Sequence, residues 1–260
     1  MQDLTPALWL DVLLELVERA DAIALDWFGR QDLDVAAKAD ATPVTAADLQ
    51  IEREIRRLAQ ARFPRLGLVG EEYGASASAQ ANLIVDPIDG TANFARGIPI
   101  FATLLAIQSG DAILAGVVSA PALRTRWRAA HGCGAFRDDK RIRVSRIERL
   151  ADAQVFHGGI AGVERNAEVP GFMNLLRASK RQRGFGDFYQ HVLVAEGAGE
   201  VAIDVGLAPW DIAALTVITE EAGGRWSSLD ARRDIHARSL ITTNGTLHDQ
   251  TLALLAGSSQ

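Results

Sequence analysis

The hydrophobic pattern of the first sixty residues predicts two amphipathic helices. Apolar residues recur at three- and four-residue spacing from about Leu8 to Phe28, which gives the first helix a continuous apolar face. The second helix follows Thr45 and ends before Pro64, which cannot continue it. Its apolar stripe consists of Ile51, Ile55 and Leu58. The charged residues between them are expected to face solvent: Glu52, Arg53, Arg56 and Arg57.

Short apolar runs joined by turns follow, and they predict strands in a largely antiparallel sheet. The runs are Leu66–Val69, Leu83–Val85, Phe101–Gln108, Ile113–Ser119 and Arg126–Ala130. Gly110-Asp111 is typical of a hairpin turn between two of these strands.

Strands alternate with helices in the second half of the chain, and this alternation favours a mixed or partly parallel sheet. The predicted strands are Val155–Gly158, Val201–Val205 and Ser239–Thr243. The predicted helices are Gly171–Ser179, Phe188–Gly197, Pro209–Ala222 and Thr246–Leu255. The change of pattern predicts two subdomains, residues 1–150 and 151–260. No linker rich in glycine and serine separates them, so we expect one structural unit.

Composition and charge exclude several classes of protein. Hydrophobic residues make up 48% of the 260 residues and charged residues 23%, which is typical of a globular protein and not of a disordered one. The net charge of −6 argues against a nucleic-acid partner. The single Cys133 excludes an internal disulfide and a cysteine-rich zinc site. With no apolar run of membrane-spanning length and no signal-peptide pattern, we expect a cytoplasmic protein without a membrane partner.

Three short segments place acidic residues where predicted strands or helices begin or end. They are Gly70-Glu71-Glu72, Asp86-Pro87-Ile88-Asp89-Gly90-Thr91 and Trp210-Asp211, and Asp48 is a fourth candidate. Carboxylates that are brought together repel one another unless they are protonated or bind a metal ion. A hard divalent cation such as Mg²⁺ suits them, because it prefers oxygen ligands and often shares them with a substrate phosphate.

Each segment taken alone also has a structural explanation. Asp89-Gly90 is typical of a turn, Asp211 of a helix N-cap, and Thr45 with Asp48 resembles a capping box. Taken together, the segments favour a site. Because Pro87 cannot donate to a sheet ladder, we expect the strand to end there, with both neighbouring carboxylates and the Ile88 carbonyl exposed at its end.

The same segments resemble the inositol monophosphatase family. The resemblance covers nearly the whole chain and is carried by Lys38, Thr42–Asp48, Gly70–Glu72, Asp86–Thr91 and Trp210–Ala213. It implies a layered α/β/α/β/α fold and a lithium-sensitive, Mg²⁺-dependent phosphomonoesterase that forms a homodimer. It further implies two or three Mg²⁺ ions per active site, with Mn²⁺ able to substitute.

The resemblance also assigns roles to individual residues. The metal ligands would be Glu71, Asp86, the Ile88 carbonyl, Asp89 and Asp211, with Lys38 and Glu72 supporting them. Asp48 and Thr91, together with Glu71, would position and activate the attacking water. The amides of Gly90 and Thr91 could hold phosphate oxygens if these residues open a helix.

The substrate is predicted from departures within the family. Inositol-specific members hold ring hydroxyls with a Gly-Ser/Thr-Ala segment and a Glu, whereas this chain has Gly186-Asp187-Phe188 and Asp204 at the matching positions. We expect these residues, with Asp89, Gly90, Thr91 and Asp211, to contact the substrate. The extra carboxylate suits a cation, and L-histidinol carries an ammonium and an imidazole. Alternatively, Asp187 only caps the helix that begins near Phe188.

Other runs resemble the histidinol-phosphatase branch of the family. They are Arg183–Phe188, Leu193–Gly197, Asn93–Pro99, Ser119–Leu123 and Arg126–Ala130. The alternatives are an inositol or broad sugar-phosphate phosphatase, a nucleotide 3′-phosphatase, and an inactive scaffold on the same fold. The scaffold is disfavoured, because a dead relative is expected to lack at least one of the acidic residues or Thr91.

Overall fold

The first two helices of the chain lie side by side and form an outer layer. The computed structural model describes residues 4–30, 35–37, 43–76, 80–160, 169 and 171–257. Helix α1 (Pro6–Trp27) begins where Thr5 accepts a hydrogen bond from the Leu8 amide. Helix α2 (Ala46–Arg62) begins at the predicted capping box, in which Asp48 Oδ2 accepts the Thr45 amide at 2.8 Å. Strands β1 (Val35–Ala37) and β2 (Pro43–Thr45) form a small antiparallel pair before α2.

The larger sheet follows α2 in the sequence. Its strands are β3 (Gly67–Gly70), β4 (Gly74–Ser76), β5 (Asn82–Asp89), β6 (Ala102–Ser109), β7 (Ala112–Ala120), β8 (Thr125–Ala130), β9 (Gly134–Arg137) and β10 (Lys140–Arg141). Their order is β10-β9-β8-β7-β6-β5-β3-β4, and all described pairs are antiparallel except β3 with β5. A short helix α3 (Thr91–Ala95) lies between β5 and β6. The prediction of a largely antiparallel sheet is therefore confirmed.

A second, mixed sheet lies in the remainder of the chain. Its elements in sequence order are β11 (Gln154–His157), helix α4 (Phe172–Ala178), β12 (Arg181–Gly184), helix α5 (Asp187–Ala195), β13 (Val201–Val205), helix α6 (Pro209–Glu221), β14 (Arg225–Ser227), β15 (Ser239–Thr243) and helix α7 (His248–Leu255). The strand order is β12-β11-β13-β15-β14, with β11 parallel to both neighbours and β15 antiparallel to both of its own.

Successive side chains of a strand point to opposite faces, and both faces of the first sheet are buried under helices. In β5, Leu83 and Val85 pack with α1 and α2, while Ile84 faces the opposite side and packs with α5 and α6. Helices α5 and α6 also contact residues of the second sheet, whose other face packs against α4 and α7. The order is thus helices, sheet, helices, sheet, helices, as expected for α/β/α/β/α. No helix in the described ranges is both long and apolar enough to cross a bilayer.

Two local predictions are wrong. Glu52 was expected at the surface, yet it is fully buried, because it shares the inner face of α2 with Asp48, Ile55 and Ala59. Strand β5 was expected to end at Pro87 with both neighbouring carboxylates exposed, yet it continues to Asp89 through an irregularity in its pairing with β6, and Asp86 is buried. Both corrections concern residues around the candidate site.

Candidate active site

Strand β5 carries two acidic residues of the site on a bulge. The stretch from Asp86 to Asp89 contains one more residue than the stretch of β6 that pairs with it. Pro87 lies inside this bulge, and its carbonyl accepts a hydrogen bond from Thr103 Oγ1 at 2.8 Å. Residues three apart on a regular strand point to opposite faces, whereas an extra residue redirects the chain. The bulge therefore allows both carboxylates to reach the same cluster.

A third carboxylate comes from the second half of the chain. Asp86, Asp89 and Asp211 each offer a carboxylate oxygen, and these oxygens all lie within 4.8 Å of one another. Asp211 lies in the first turn of α6, where its Oδ2 accepts the Ala208 amide at 2.7 Å. Asp211 thus stabilises the start of the helix, as the structural explanation required, and also belongs to the cluster.

Burial and mutual repulsion strongly perturb the three carboxylates. Burial, followed by the charges of neighbouring carboxylates, raises the pKa of Asp86 and of Asp89 well above the ordinary value. The neighbour with the largest effect is Glu71 for Asp86 and Asp187 for Asp89. Burial likewise raises the pKa of Asp211 to about 6. Among the residues that the structure describes, no basic side chain forms an ion pair with these three carboxylates.

Thr91 and Asp48 form a second group next to the cluster. Thr91 Oγ1 donates to the Ile88 carbonyl at 2.9 Å and lies 3.4 Å from Asp48 Oδ1. Thr91 is the first residue of α3, and Gly90 precedes it at a φ of +82°. Asp48 is fully buried, and burial raises its pKa to about 6 even though hydrogen bonds from Thr45 lower it. One oxygen of Asp48 therefore caps α2, while the other faces Thr91.

Glu71 lies in the turn after β3, and the buried Glu52 fixes this turn. Glu52 accepts the backbone amides of Glu72 at 2.7 Å and Tyr73 at 3.2 Å, and it pairs with Arg56 at 2.7 Å. A side chain at Gly70 would collide with the Glu52 carboxylate. The charge of Glu71 raises the pKa values of Asp48, Asp86 and Asp211, so Glu71 lies near all three.

Asp187 and Asp204 extend the acidic region toward the second sheet. Asp187 begins α5 with a φ of +51°, a strained value for a residue other than glycine, and Asn93 Nδ2 donates to its Oδ2 at 3.2 Å. Burial raises the pKa of Asp187 to about 6. Burial also raises the pKa of Asp204, to about 7, and the charges of Asp187 and Asp211 act in the same direction. The described hydrogen bond of the Asp187 side chain goes to Asn93, and the start of α5 has no described side-chain cap, so the alternative that Asp187 only caps its helix is not supported.

The predicted contact segment Gly186-Asp187-Phe188 is only partly directed at the site. The Phe188 side chain is 1% exposed and packs against Trp127 and Tyr189, so its expected contact with substrate is wrong for the side chain. Its backbone amide instead donates to Asp89 Oδ2 at 2.5 Å and joins α5 to the cluster. Gly186 precedes Asp187 with a φ of +74°.

Sequence reasoning missed some contributors, and one residue that it named is not among those that the structure describes. It assigned no function to Glu52, Asn93 or Gln190, although the helical spacing of Glu52 from Asp48 already placed the two on one face. Lys38 lies outside the described residues.

Comparison with known proteins agrees with this geometry. The model of the inositol monophosphatase family matches residues 6–260. The chain belongs to the inositol monophosphatase family. It is similar to the histidinol-phosphatase of Mycobacterium tuberculosis, with 41% identity over 95% of this chain and 97% of that protein. It is also similar to the inositol-1-monophosphatase of Mesorhizobium japonicum, with 34% identity over 87% of each.

Solved structures in this family share the fold. The structure of the extragenic suppressor protein suhB from Bartonella henselae matches with a TM-score of 0.88 and 29% identity, over 96% of this chain and 98% of that one. The Thermotoga maritima IMPase matches with a TM-score of 0.86 and 29% identity, over 95% and 96%. The layered architecture expected from the sequence is thereby confirmed.

The donor set fits the divalent cation on which the inositol monophosphatase family depends. Asp86 Oδ1 is buried and has no hydrogen-bond partner within the described structure. Such orphaned oxygens are rare in folded proteins, and a cation would satisfy this one while relieving the repulsion that raises the neighbouring pKa values. All the candidate donors are oxygens, which are the ligands that Mg²⁺ prefers.

This fit predicts that Mg²⁺ stabilises the protein more at pH 8 than at pH 5.5. Without a metal ion, a carboxylate whose folded pKa is raised contributes stability below its unfolded pKa of 3.8. That stability is lost as pH rises through about 6 to 7. Mg²⁺ binds the ionised form and offsets the loss. The rise in Tm on adding Mg²⁺ should be several degrees larger at pH 8, since about 1 kcal/mol shifts Tm by about 2–4 °C.

Thermal unfolding with Mg²⁺ or EDTA at both pH values measures this difference. Burial lowers the pKa of His191 to about 3 and that of His248 to about 4, so both imidazoles are neutral in the folded protein at either pH, and their contribution to stability cancels when the protein is compared with and without the ion. An Mg²⁺-induced shift that is equal at the two pH values would contradict the assignment of these carboxylates as the binding groups.

Proposed function

We propose that the chain is a Mg²⁺-dependent phosphomonoesterase that hydrolyses L-histidinol phosphate to L-histidinol and phosphate. The observation that carries the proposal is the pair Asp187 and Asp204, which lies beside the metal-binding carboxylates and forms no ion pair with a described basic side chain. The greater identity to the histidinol-phosphatase than to the inositol-1-monophosphatase supports the same substrate.

The proposed metal-binding groups are the carboxylates of Glu71, Asp86, Asp89 and Asp211 and the carbonyl of Ile88. Asp86 and Asp89 are redirected by the bulge of β5, and Asp211 is fixed by its hydrogen bond to the start of α6. When bound there, Mg²⁺ supplies positive charge that offsets the phosphate dianion and stabilises the leaving oxygen. Two or three ions per site, with Mn²⁺ as a substitute, remain part of the proposal.

Thr91 and Asp48 orient the attacking water. Thr91 Oγ1 contacts the Ile88 carbonyl on one side and Asp48 Oδ1 on the other, so a water bound at this hydroxyl has an acceptor nearby. Asp48 is held by the cap of α2, which keeps its free oxygen directed at Thr91. We assign to Asp48 the proton that the water loses as its oxygen bonds to phosphorus and the ester oxygen leaves.

The leaving group is recognised at the other end of the site. The charge of Asp187 adds to the burial that raises the pKa of Asp204, and a cationic ligand would offset this repulsion. The ammonium of L-histidinol supplies such a cation, whereas inositol is neutral. The Gly90 backbone lies close to the Asp187 carboxylate, since a side chain there would come within 3.3 Å of Asp187 Oδ2. The phosphate end and the cation end of the site are therefore adjacent.

Phosphate release from L-histidinol phosphate and from inositol 1-phosphate, measured in parallel with Mg²⁺, tests the proposal. We expect a higher kcat/KM for L-histidinol phosphate. A preference for inositol 1-phosphate or for sugar phosphates in general would assign the chain to the alternative activity. No release from any substrate, including a generic aryl phosphate, would favour an inactive scaffold.

Asp187→Asn should lower kcat/KM for L-histidinol phosphate by about 10–100-fold, because a hydrogen bond to a charged group contributes about 1.5–3 kcal/mol. The same variant should hydrolyse p-nitrophenyl phosphate almost as well as the wild type, because that substrate has no cation. The Mg²⁺ concentration for half-maximal activity should not change. Equal losses on both substrates would mean that Asp187 acts only on the structure of the site.

Three further properties are proposed. Inhibition by Li⁺ and assembly as a homodimer rest on family membership alone, and a cytoplasmic location rests on the sequence pattern. Inhibition assays with LiCl, light scattering of the purified protein and cell fractionation test them in turn.

A further inference from the structure

Gln190 lies on α5, fully buried, and directs its carboxamide at β13. Its Nε2 donates to Asp204 Oδ2 at 2.9 Å and lies 3.2 Å from the Ile203 carbonyl. The other oxygen of Asp204 accepts the backbone amide of Val205 at 2.9 Å. Both oxygens of this carboxylate are therefore held in place, one by its own strand and one by Gln190.

The hydrogen bond from Gln190 to Asp204 is accompanied by an unsatisfied acceptor on the same carboxamide. Gln190 Oε1 is buried and has no hydrogen-bond partner in the part of the chain that the structure describes. A buried acceptor without a partner destabilises the folded state, and such groups are uncommon. An apolar side chain of the same length would fill this space without that cost. The glutamine is thus explained by what its Nε2 does for Asp204.

The groups behind Gln190 are polar but uncharged. His191 Nε2 lies 3.4 Å from Gln190 Nε2, and His191 Nδ1 lies 2.9 Å from Thr242 Oγ1. Burial lowers the pKa of His191 to about 3, so its imidazole is neutral near pH 7. Gln190 therefore orients Asp204 without neutralising it, which leaves the carboxylate available to a cation.

We propose that Gln190 is a positioning residue for substrate specificity, which fixes the Asp204 carboxylate in the orientation that pairs with the cationic part of the substrate. The inference rests on the proposed function, because only a cationic substrate needs this carboxylate as a charge partner. Gln190 itself touches neither the phosphate nor the metal-binding groups.

Gln190→Met tests the inference, because it keeps the length of the side chain and removes the donor. KM for L-histidinol phosphate should rise about tenfold with kcat nearly unchanged, as expected when binding is lost equally in the ground and transition states. Both constants for p-nitrophenyl phosphate should stay at the wild-type values. Gln182→Met is the matched control, since the described hydrogen bonds of the Gln182 carboxamide go to Leu176 and Ser179, and it should change the kinetic constants of neither substrate.

The same substitution in an Asp204→Asn background tests whether Gln190 acts through Asp204. If Gln190 acts through Asp204, Gln190→Met should add almost nothing to the loss caused by Asp204→Asn. Full additivity of the two losses, or equal losses on both substrates for Gln190→Met, would overturn the inference. Should Gln190→Met not fold, Gln190→Asn withdraws the amide by one methylene while keeping a polar group, and the same results are expected of it.

The outcomes also separate this inference from the proposed function. Suppose that the wild type prefers L-histidinol phosphate and that Gln190→Met has the same kinetic constants as the wild type. This result would overturn the role of Gln190 and leave the proposed function standing. A wild-type protein that prefers inositol 1-phosphate would overturn the proposed substrate, and the role of Gln190 with it.

Discussion

Asp89→Asn should abolish turnover and leave the fold intact. The substitution replaces a charged oxygen donor of the cluster by a neutral amide. The loss of activity should therefore exceed the roughly 10–100-fold loss that is typical when a residue that only orients metal ligands is mutated. The asparagine keeps one carbonyl oxygen that can accept the Phe188 amide, which preserves the start of α5. In EDTA the variant should unfold at a higher temperature than the wild type, because one of several mutually repelling carboxylates is gone.

Phosphate release at saturating Mg²⁺ and thermal unfolding in EDTA measure the two effects. Asp111→Asn is the matched control, because Asp111 lies exposed in the turn between β6 and β7 and undergoes the same chemical change. It should affect neither measurement. A folded Asp89→Asn protein with near-normal activity would defeat the assignment of Asp89 as a metal ligand.

Thr91→Ala should reduce kcat and kcat/KM by the same factor, about 10²–10⁴-fold, if the hydroxyl acts on the attacking water. Alanine is well tolerated at the start of α3, where the Thr91 side chain forms no described cap. Mg²⁺ affinity should change little, because the proposed ligand at this position is the Ile88 carbonyl, which loses only the hydrogen bond from Thr91.

Steady-state kinetics and calorimetric titration with Mg²⁺ separate these effects. Thr91→Ser retains the hydroxyl and should recover most of the activity. If Thr91→Ala raises KM and leaves kcat unchanged, Thr91 binds the substrate and takes no part in activating water.

The sequence predicted the elements that have long apolar runs or a helical apolar period. Helix α1 and strands β6 and β7 have long apolar patterns, and the structure places them within one or two residues of the expected bounds. Strands β12 and β14 were not predicted, because they have only four and three residues, which is too short for a hydrophobic period to be recognised.

The sequence predicted the acidic residues of the site but not the local structure that holds them in place. Asp86, Asp89 and Asp211 were singled out because acidic residues recur at the ends of predicted elements and because these segments resemble the inositol monophosphatase family. The bulge at Pro87 was not predictable, because it depends on the register with β6, a contact between strands that no local pattern encodes. Glu52 was misplaced for a related reason. Its charge led to the prediction that the side chain is exposed to solvent. The backbone amides of the turn after β3 instead make its burial favourable, because they donate hydrogen bonds to the carboxylate.

Asp211 reaches the cluster from α6, about 120 residues after Asp89 in the sequence, and the two sheets lie on opposite sides of that helix. Contacts between such distant segments form late in folding, because a long loop must first be closed. A folding intermediate with only the first sheet in place would hold an incomplete set of carboxylates and should bind Mg²⁺ weakly. Mg²⁺ affinity during refolding would then report the docking of the two halves, and magnesium-rich conditions would favour the fully assembled chain over its partly folded forms.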